Sequence, residues 1–202
     1  MDALPRKYLT PEEYLAIERE AEWKSEYYQG EMFAMAGGSE AHNRLIVNFT
    51  GELFSRLKGS NCLVNSSDLR VQVNEAGLYT YPDLSIVCGQ PKSADGFKDN
   101  LTNPVAIIEI LSASTEAYDR GEKFLLYRQL PSLREYVLVS QQKPFVDQYI
   151  RDDDGRWFVL MTQGLESVVT LQSCGVSIPM SALYENVEFP SEPPRAASVG
   201  DR

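Results

Sequence analysis

Histidine occurs once in the 202 residues, and cysteine three times, at 62, 88 and 174. No two cysteines form a CxxC pair, and their number is odd. This argues against a structural zinc site and against a disulfide framework. The expectation is three buried, reduced thiols in a cytosolic chain. No apolar run approaches the roughly 18 residues that a membrane span needs. The opening MDALPRKYLTPEEY has no basic start leading into an apolar stretch, so no signal peptide is expected. The cytoplasm is the expected compartment, with no membrane contact. Basic residues are also scarce: 19 Lys and Arg stand against 29 Asp and Glu, a net charge of −10. That excludes a broad cationic surface. A polyanion would have to be met by a local basic patch or by divalent cations.

What is present is an ordinary globular balance, 43% hydrophobic and 24% charged, enough for a core that needs no metal or disulfide staple. Thr10-Pro11-Glu12-Glu13 starts a helix, with Thr10 as cap, Pro11 in the first turn and Glu13 completing a capping box. This helix is expected to run to about Tyr27 and stop before Gly30. Residues 31–35 read as a short strand and 39–58 as a second helix, with Leu45, Ile46, Phe49, Leu53 and Leu57 at helical spacing. His42 lies seven residues before Phe49, on the same face. Strands follow at 62–65, 69–73, 83–88 and 105–111, and 91–104 reads as loop. A third helix is expected over 119–130, ended by Pro131. Four strands (136–139, 145–151, 157–162, 168–171) and a short helix at 183–184 complete a domain over residues 8–190. The Pro/Ser/Ala-rich stretch 191–202 is expected to be disordered. The order gives an α/β fold: a mixed α+β arrangement with a central mixed sheet flanked by helices, rather than a regular βαβ alternation.

Three features carry chemistry. In Tyr81-Pro82-Asp83, Pro82 cannot donate to a ladder, so Asp83 sits at a strand's entry; the plain alternative is a turn. In VAIIEIL (105–111), Glu109 interrupts a run that is apolar on both faces. A carboxylate there must be protonated, paired or metal-bound, and a buried ion pair is the alternative. Asp119, Lys123, Leu126 and Tyr127 share one helix face. Leu126 and Tyr127 turn that face inward, which brings Lys123 toward Glu109. The alternatives are a structural Lys–Glu pair or a lysine reaching back to solvent.

Together, YPD (81–83), NPVAIIEILSASTEAYDRGEKFLLYRQLPSLREYVLV (103–139) and QGEMFAMAGGSEAH (29–42) resemble the PD-(D/E)XK nuclease superfamily, with its restriction-endonuclease-like core. They are most similar to a large bacterial family of restriction-endonuclease-like proteins long known as a domain of unknown function. The resemblance spans about residues 8–190. It implies a magnesium- or manganese-dependent endonuclease acting on DNA, with Asp83, Glu109 and Lys123 in the site. It also points to Glu31, as a third metal-binding carboxylate beside Asp83 and Glu109, and to His42. A satisfied structural histidine stays open as the alternative for His42. The sequence departs from the superfamily in one place: the lysine normally found two residues after the glutamate is Leu111, and Lys123 stands in its stead. Two other readings remain. One is a nuclease-fold protein that binds nucleic acid or a protein partner without cutting. The other is a purely structural protein with Glu109 neutralised internally. Cutting both strands of a duplex commonly uses two sites, so a homodimer is expected.

Overall fold

A computed structural model describes residues 8–35, 37–73 and 77–190; the stretch 191–202, expected to be disordered, lies outside them. The capping box at Thr10 forms as expected and opens α1 (Pro11–Glu20). The helix ends there, seven residues earlier than its periodicity suggested. Residues Ser25–Tyr28 instead form β1, paired with β2 (Glu31–Ala34). The cause is the two-residue turn between them. Gln29 and Gly30 both take positive φ, 47° and 93°, the conformation that lets a two-residue loop match strand twist. Tertiary contact then overrides local helix preference. Tyr27 is buried against Tyr14 and Tyr79, with ring centroids 4.9 and 5.8 Å away.

Helix α2 (Glu40–Leu57) is capped by Ser39, whose side chain accepts from the His42 backbone. Strands β3 (Cys62–Ser66), β4 (Arg70–Gln72), β5 (Leu78–Thr80), β6 (Leu84–Cys88), β7 (Asn100–Leu101) and β8 (Ala106–Leu111) follow. β7 lies within the stretch expected to be all loop. α3 (Glu116–Tyr118) passes through one π turn (Asp119–Lys123) into α4 (Phe124–Tyr127). The third helix thus starts earlier, ends earlier and carries a wider turn than a 3.6-residue period foresees. Strands β9 (Glu135–Ser140), β10 (Phe145–Arg151), β11 (Trp157–Gln163), β12 (Val168–Leu171) and β13 (Val176–Pro179) precede α5 (Met180–Leu183).

The central sheet has order β11-β10-β9-β8-β6-β3 and is mixed, as expected: β8 and β9 run parallel, and the other pairs antiparallel. A second sheet, β2-β1-β5-β4-β7, and the pair β12-β13 were not foreseen. Alternation along β8 divides the interior. Ala106, Ile108 and Ile110 pack toward α2 with Leu45, Phe49 and Leu53. Ile107 and Leu111 pack on the other face with Leu126 and Tyr127. Each leucine, isoleucine or phenylalanine among them that is fully buried stabilises the fold by about 1.5–3 kcal/mol. Glu109 shares the odd-numbered face, so period-2 geometry alone aims it at the third helix.

The expectation of three reduced thiols is corrected. Cys62 and Cys88 are directly opposed in the β3–β6 register and form a disulfide, and only Cys174 is free among the described residues. A separation of 26 residues gave no hint of this, because strand register made them neighbours.

Candidate active site

Asp83 immediately precedes β6, and Glu109 lies on the adjacent β8. The β6–β8 register pairs Leu84 with Ile108, so one further step sets Asp83 opposite Glu109 on the same face. Their link is reciprocal. The Asp83 N–H donates to Glu109 Oε2 at 3.3 Å, and the Ile110 N–H donates to Asp83 Oδ2 at 2.7 Å. Asp83 Oδ2 also meets His42 Nε2 at 3.2 Å. Glu109 Oε1 receives the Tyr127 hydroxyl at 2.9 Å and the Lys123 ammonium at 2.9 Å. Leu111 is packed in the core, and Lys123 supplies the cation beside Glu109.

Lys123 is also 3.3 Å from Glu26 and 3.6 Å from Asp119. The π turn bears on this contact. It carries Asp119 and Lys123, both buried, through one wide turn on the same inner face. Such turns frequently occur at functional sites. Glu26 is further held by the Thr80 hydroxyl. Glu26, His42, Asp83, Glu109, Asp119 and Lys123 line a cavity of about 640 Å³, together with Phe33, Tyr118 and Gln141.

Burial is the largest influence on Glu109 and raises its pKa. Lys123 opposes this, Asp83 and Asp119 add to it, and the carboxyl ends up at about 8. Asp119 is raised for the same leading reason. Burial works against the Lys123 charge, but Glu109, Glu26 and Asp119 more than offset it and hold the ammonium well above its usual range. Burial likewise disfavours a charged His42, and Asp83 reverses that, leaving the imidazole raised.

Asp83, Glu109, Lys123 and His42 are therefore gathered at one place. Glu31 is not among the residues lining the cavity. It stands opposite Tyr28, two residues nearer the hairpin turn than Phe33, about 7 Å along the strand. The carboxylate that this hairpin contributes is Glu26. The sequence hides it, because the segment up to Tyr27 reads as helix. The available signal was the pair of short runs flanking Gln29-Gly30. Gly38 was also passed over: a Cβ there would lie 2.6 Å from His42 Nδ1.

Four carboxylates (Glu26, Asp83, Glu109, Asp119) face one lysine and one histidine in this cavity. Such a surplus of hard oxygen donors fits a divalent cation. Among the described residues no three of His, Cys, Asp and Glu converge as a ready-made cage. Magnesium does not require one, since it keeps several waters and takes one or two carboxylates plus substrate phosphate.

A crystal structure of a "putative nuclease belonging to DUF820" from Anabaena variabilis superimposes with a TM-score of 0.71, covering 87% of this chain and 97% of that one. At 17% identity this likeness concerns the fold, which is of the restriction-endonuclease-like class. Two Synechocystis proteins, the "uncharacterized" slr1290 and sll1609, are 38% and 37% identical over 185 and 158 residues. These matches cover 92% and 78% of this chain, and 96% and 89% of the relatives. The sequence pattern of the Uma2 family, described as "Putative restriction endonuclease", matches residues 11–181, and the chain belongs to that family.

Proposed function

We propose that this protein is a metal-dependent endonuclease that hydrolyses DNA phosphodiester bonds, acting in the cytoplasm as a homodimer of the 8–190 domain. The observation that carries the reading is the meeting of Asp83, Glu109 and Lys123 at the floor of one cavity. Asp83 and Glu109 are the residues that would hold magnesium or manganese. When bound, the ion supplies a water of lowered pKa and positive charge at the scissile phosphate. Lys123, kept protonated by its carboxylates, presents a fixed positive charge to the oxyanion that builds on phosphorus. His42 fixes the Asp83 rotamer, and the Tyr127 hydroxyl fixes that of Glu109. The Cys62–Cys88 pair lies outside the cavity lining, so neither sulfur takes part in the chemistry.

A second reading, a nuclease fold that binds without cutting, is favoured by one observation. Lys123 is already surrounded by three carboxylates in a chain of net charge −10, which repels phosphate. Supercoiled plasmid incubated with manganese, with and without chelator, separates the two. The endonuclease nicks or linearises it, and chelator or Asp83→Asn abolishes this. Manganese uptake by the wild type without any cleavage would establish the second reading instead.

A further inference from the structure

β11 is an edge of the central sheet, and it is an unusual edge. Its sequence, WFVLMTQ, contains no charge and no proline. Phe158, Val159, Leu160 and Met161 are consecutive and 47%, 47%, 43% and 66% exposed. Successive strand residues point to opposite faces, so both faces of this strand are apolar and, among the described residues, uncovered. Natural edges are blunted by lysine, proline, bulges or covering elements. Seven residues here pair with β10 in unbroken register, with none of these devices.

We infer that β11 is a homodimer interface, which it forms by pairing antiparallel with β11 of a second copy about a twofold axis at Leu160. This deepens the dimer named in the functional reading, but its argument uses only the strand. Full overlap of residues 157–163 places Leu160 against the partner's Leu160, and Val159 against the partner's Met161. Phe158 then meets the partner's Thr162. Apolar residues thus meet apolar ones at the centre, as an isologous contact requires. The charges at the ends agree with the same axis. Arg156, 74% exposed on its side chain, falls opposite the partner's Gly164. The Glu166 carboxylate lies against Gly164, so each Arg156 meets the partner's Glu166. Within its own chain Arg156 already bonds Asp152 and Asp154, and the new contact adds to that cluster. Elsewhere the net charge of −10 keeps copies apart, and the uncharged strip is where they approach.

The four side chains leave roughly 350 Å² of apolar surface per copy in water. A standard interface buries about 800 Å² per partner. The strand backbones, Trp157 and Leu165 add to this without reaching that area, which places the dimer at the small, weakly associating end. Sedimentation between about 1 and 100 µM reads this without any substrate, so its outcome is independent of cleavage. The wild type is expected to approach twice the 22.7 kDa of one chain, and Leu160→Asp to stay at one. Leu160 is solvent-facing, so the substitution leaves the fold intact, as circular dichroism will verify. Leu160→Cys should give a covalent dimer under mild oxidation, whereas Phe54→Cys, on an exposed face of α2, should not. A wild type that remains monomeric throughout overturns the inference. So does a Leu160→Asp variant that still dimerises.

Discussion

Glu109→Gln tests the site most sharply, because it removes a charge and keeps a shape. Glu109 is 5% exposed, and its carboxyl titrates near 8 rather than at 4.5. An acid raised in the folded state stays protonated there while the unfolded chain ionises. The wild type therefore loses stability as pH climbs from about 4.5 to about 8, by on the order of 3–5 kcal/mol. The glutamine has no such loss. Its own cost is an NH2 group that meets the Asp83 N–H where Oε2 accepted a bond, about 1 kcal/mol. Lys123 is not orphaned, since Glu26 and Asp119 remain at 3.3 and 3.6 Å. In chelator, the variant should melt slightly below the wild type near pH 4.5 and above it by on the order of 2–4 kcal/mol at pH 8. At about 2–4 °C per kcal/mol for a chain of this size, the two melting curves cross within the accessible pH range. Manganese binding and plasmid cleavage should both disappear. A uniform drop of about 3–5 kcal/mol, the cost of breaking a buried pair, would refute the reasoning and mark Glu109 as a structural partner of Lys123.

Lys123→Met should abolish cleavage and leave Glu26, Glu109 and Asp119 uncompensated, costing about 3–5 kcal/mol at pH 8. The loss should shrink toward pH 5 as Glu109 and Asp119, both raised by burial, take up protons; urea melts at both pH values measure it. Gly38→Ala drives a methyl toward His42 Nδ1, so cleavage should fall about tenfold or more through displacement of His42 from Asp83, with an unchanged thermal melt. Manganese must displace the Glu109 proton, so its apparent affinity should rise as pH approaches about 8 and then level off. Calorimetry in two buffers of different ionisation enthalpy counts the proton released, and a pH-independent affinity would contradict the shifted carboxyl.

Asp83, Glu109 and Lys123 were legible because each breaks a simple pattern: an acid after a proline at a strand's entry, an acid inside an apolar strand, a lysine on an inward helix face. His42 entered only through the family resemblance. Glu26 was not legible, because Ser25–Tyr28 becomes a strand only through the Gln29-Gly30 turn and its partner β5. Periodicity sees residues close along the chain. The short strands β5, β7 and β13, the second sheet and the Cys62–Cys88 pairing are decided by residues distant along it. The π turn escapes for another reason: five residues with helical composition carry no mark of the wider hydrogen-bond spacing that sets Asp119 and Lys123 side by side.

The contacts of Lys123 also bear on when the site is completed during synthesis. Its ammonium collects a carboxylate from the first hairpin, one from the middle of the central sheet and one from its own helix. The first of these lies about a hundred residues upstream, and contacts of such long range form late. A chain still emerging from the ribosome, or one cut short before residue 123, carries Asp83 and Glu109 without the lysine that neutralises and orients them. The assembled site is thus a property of the finished fold alone, and a chain released unfinished carries its carboxylates without their cation.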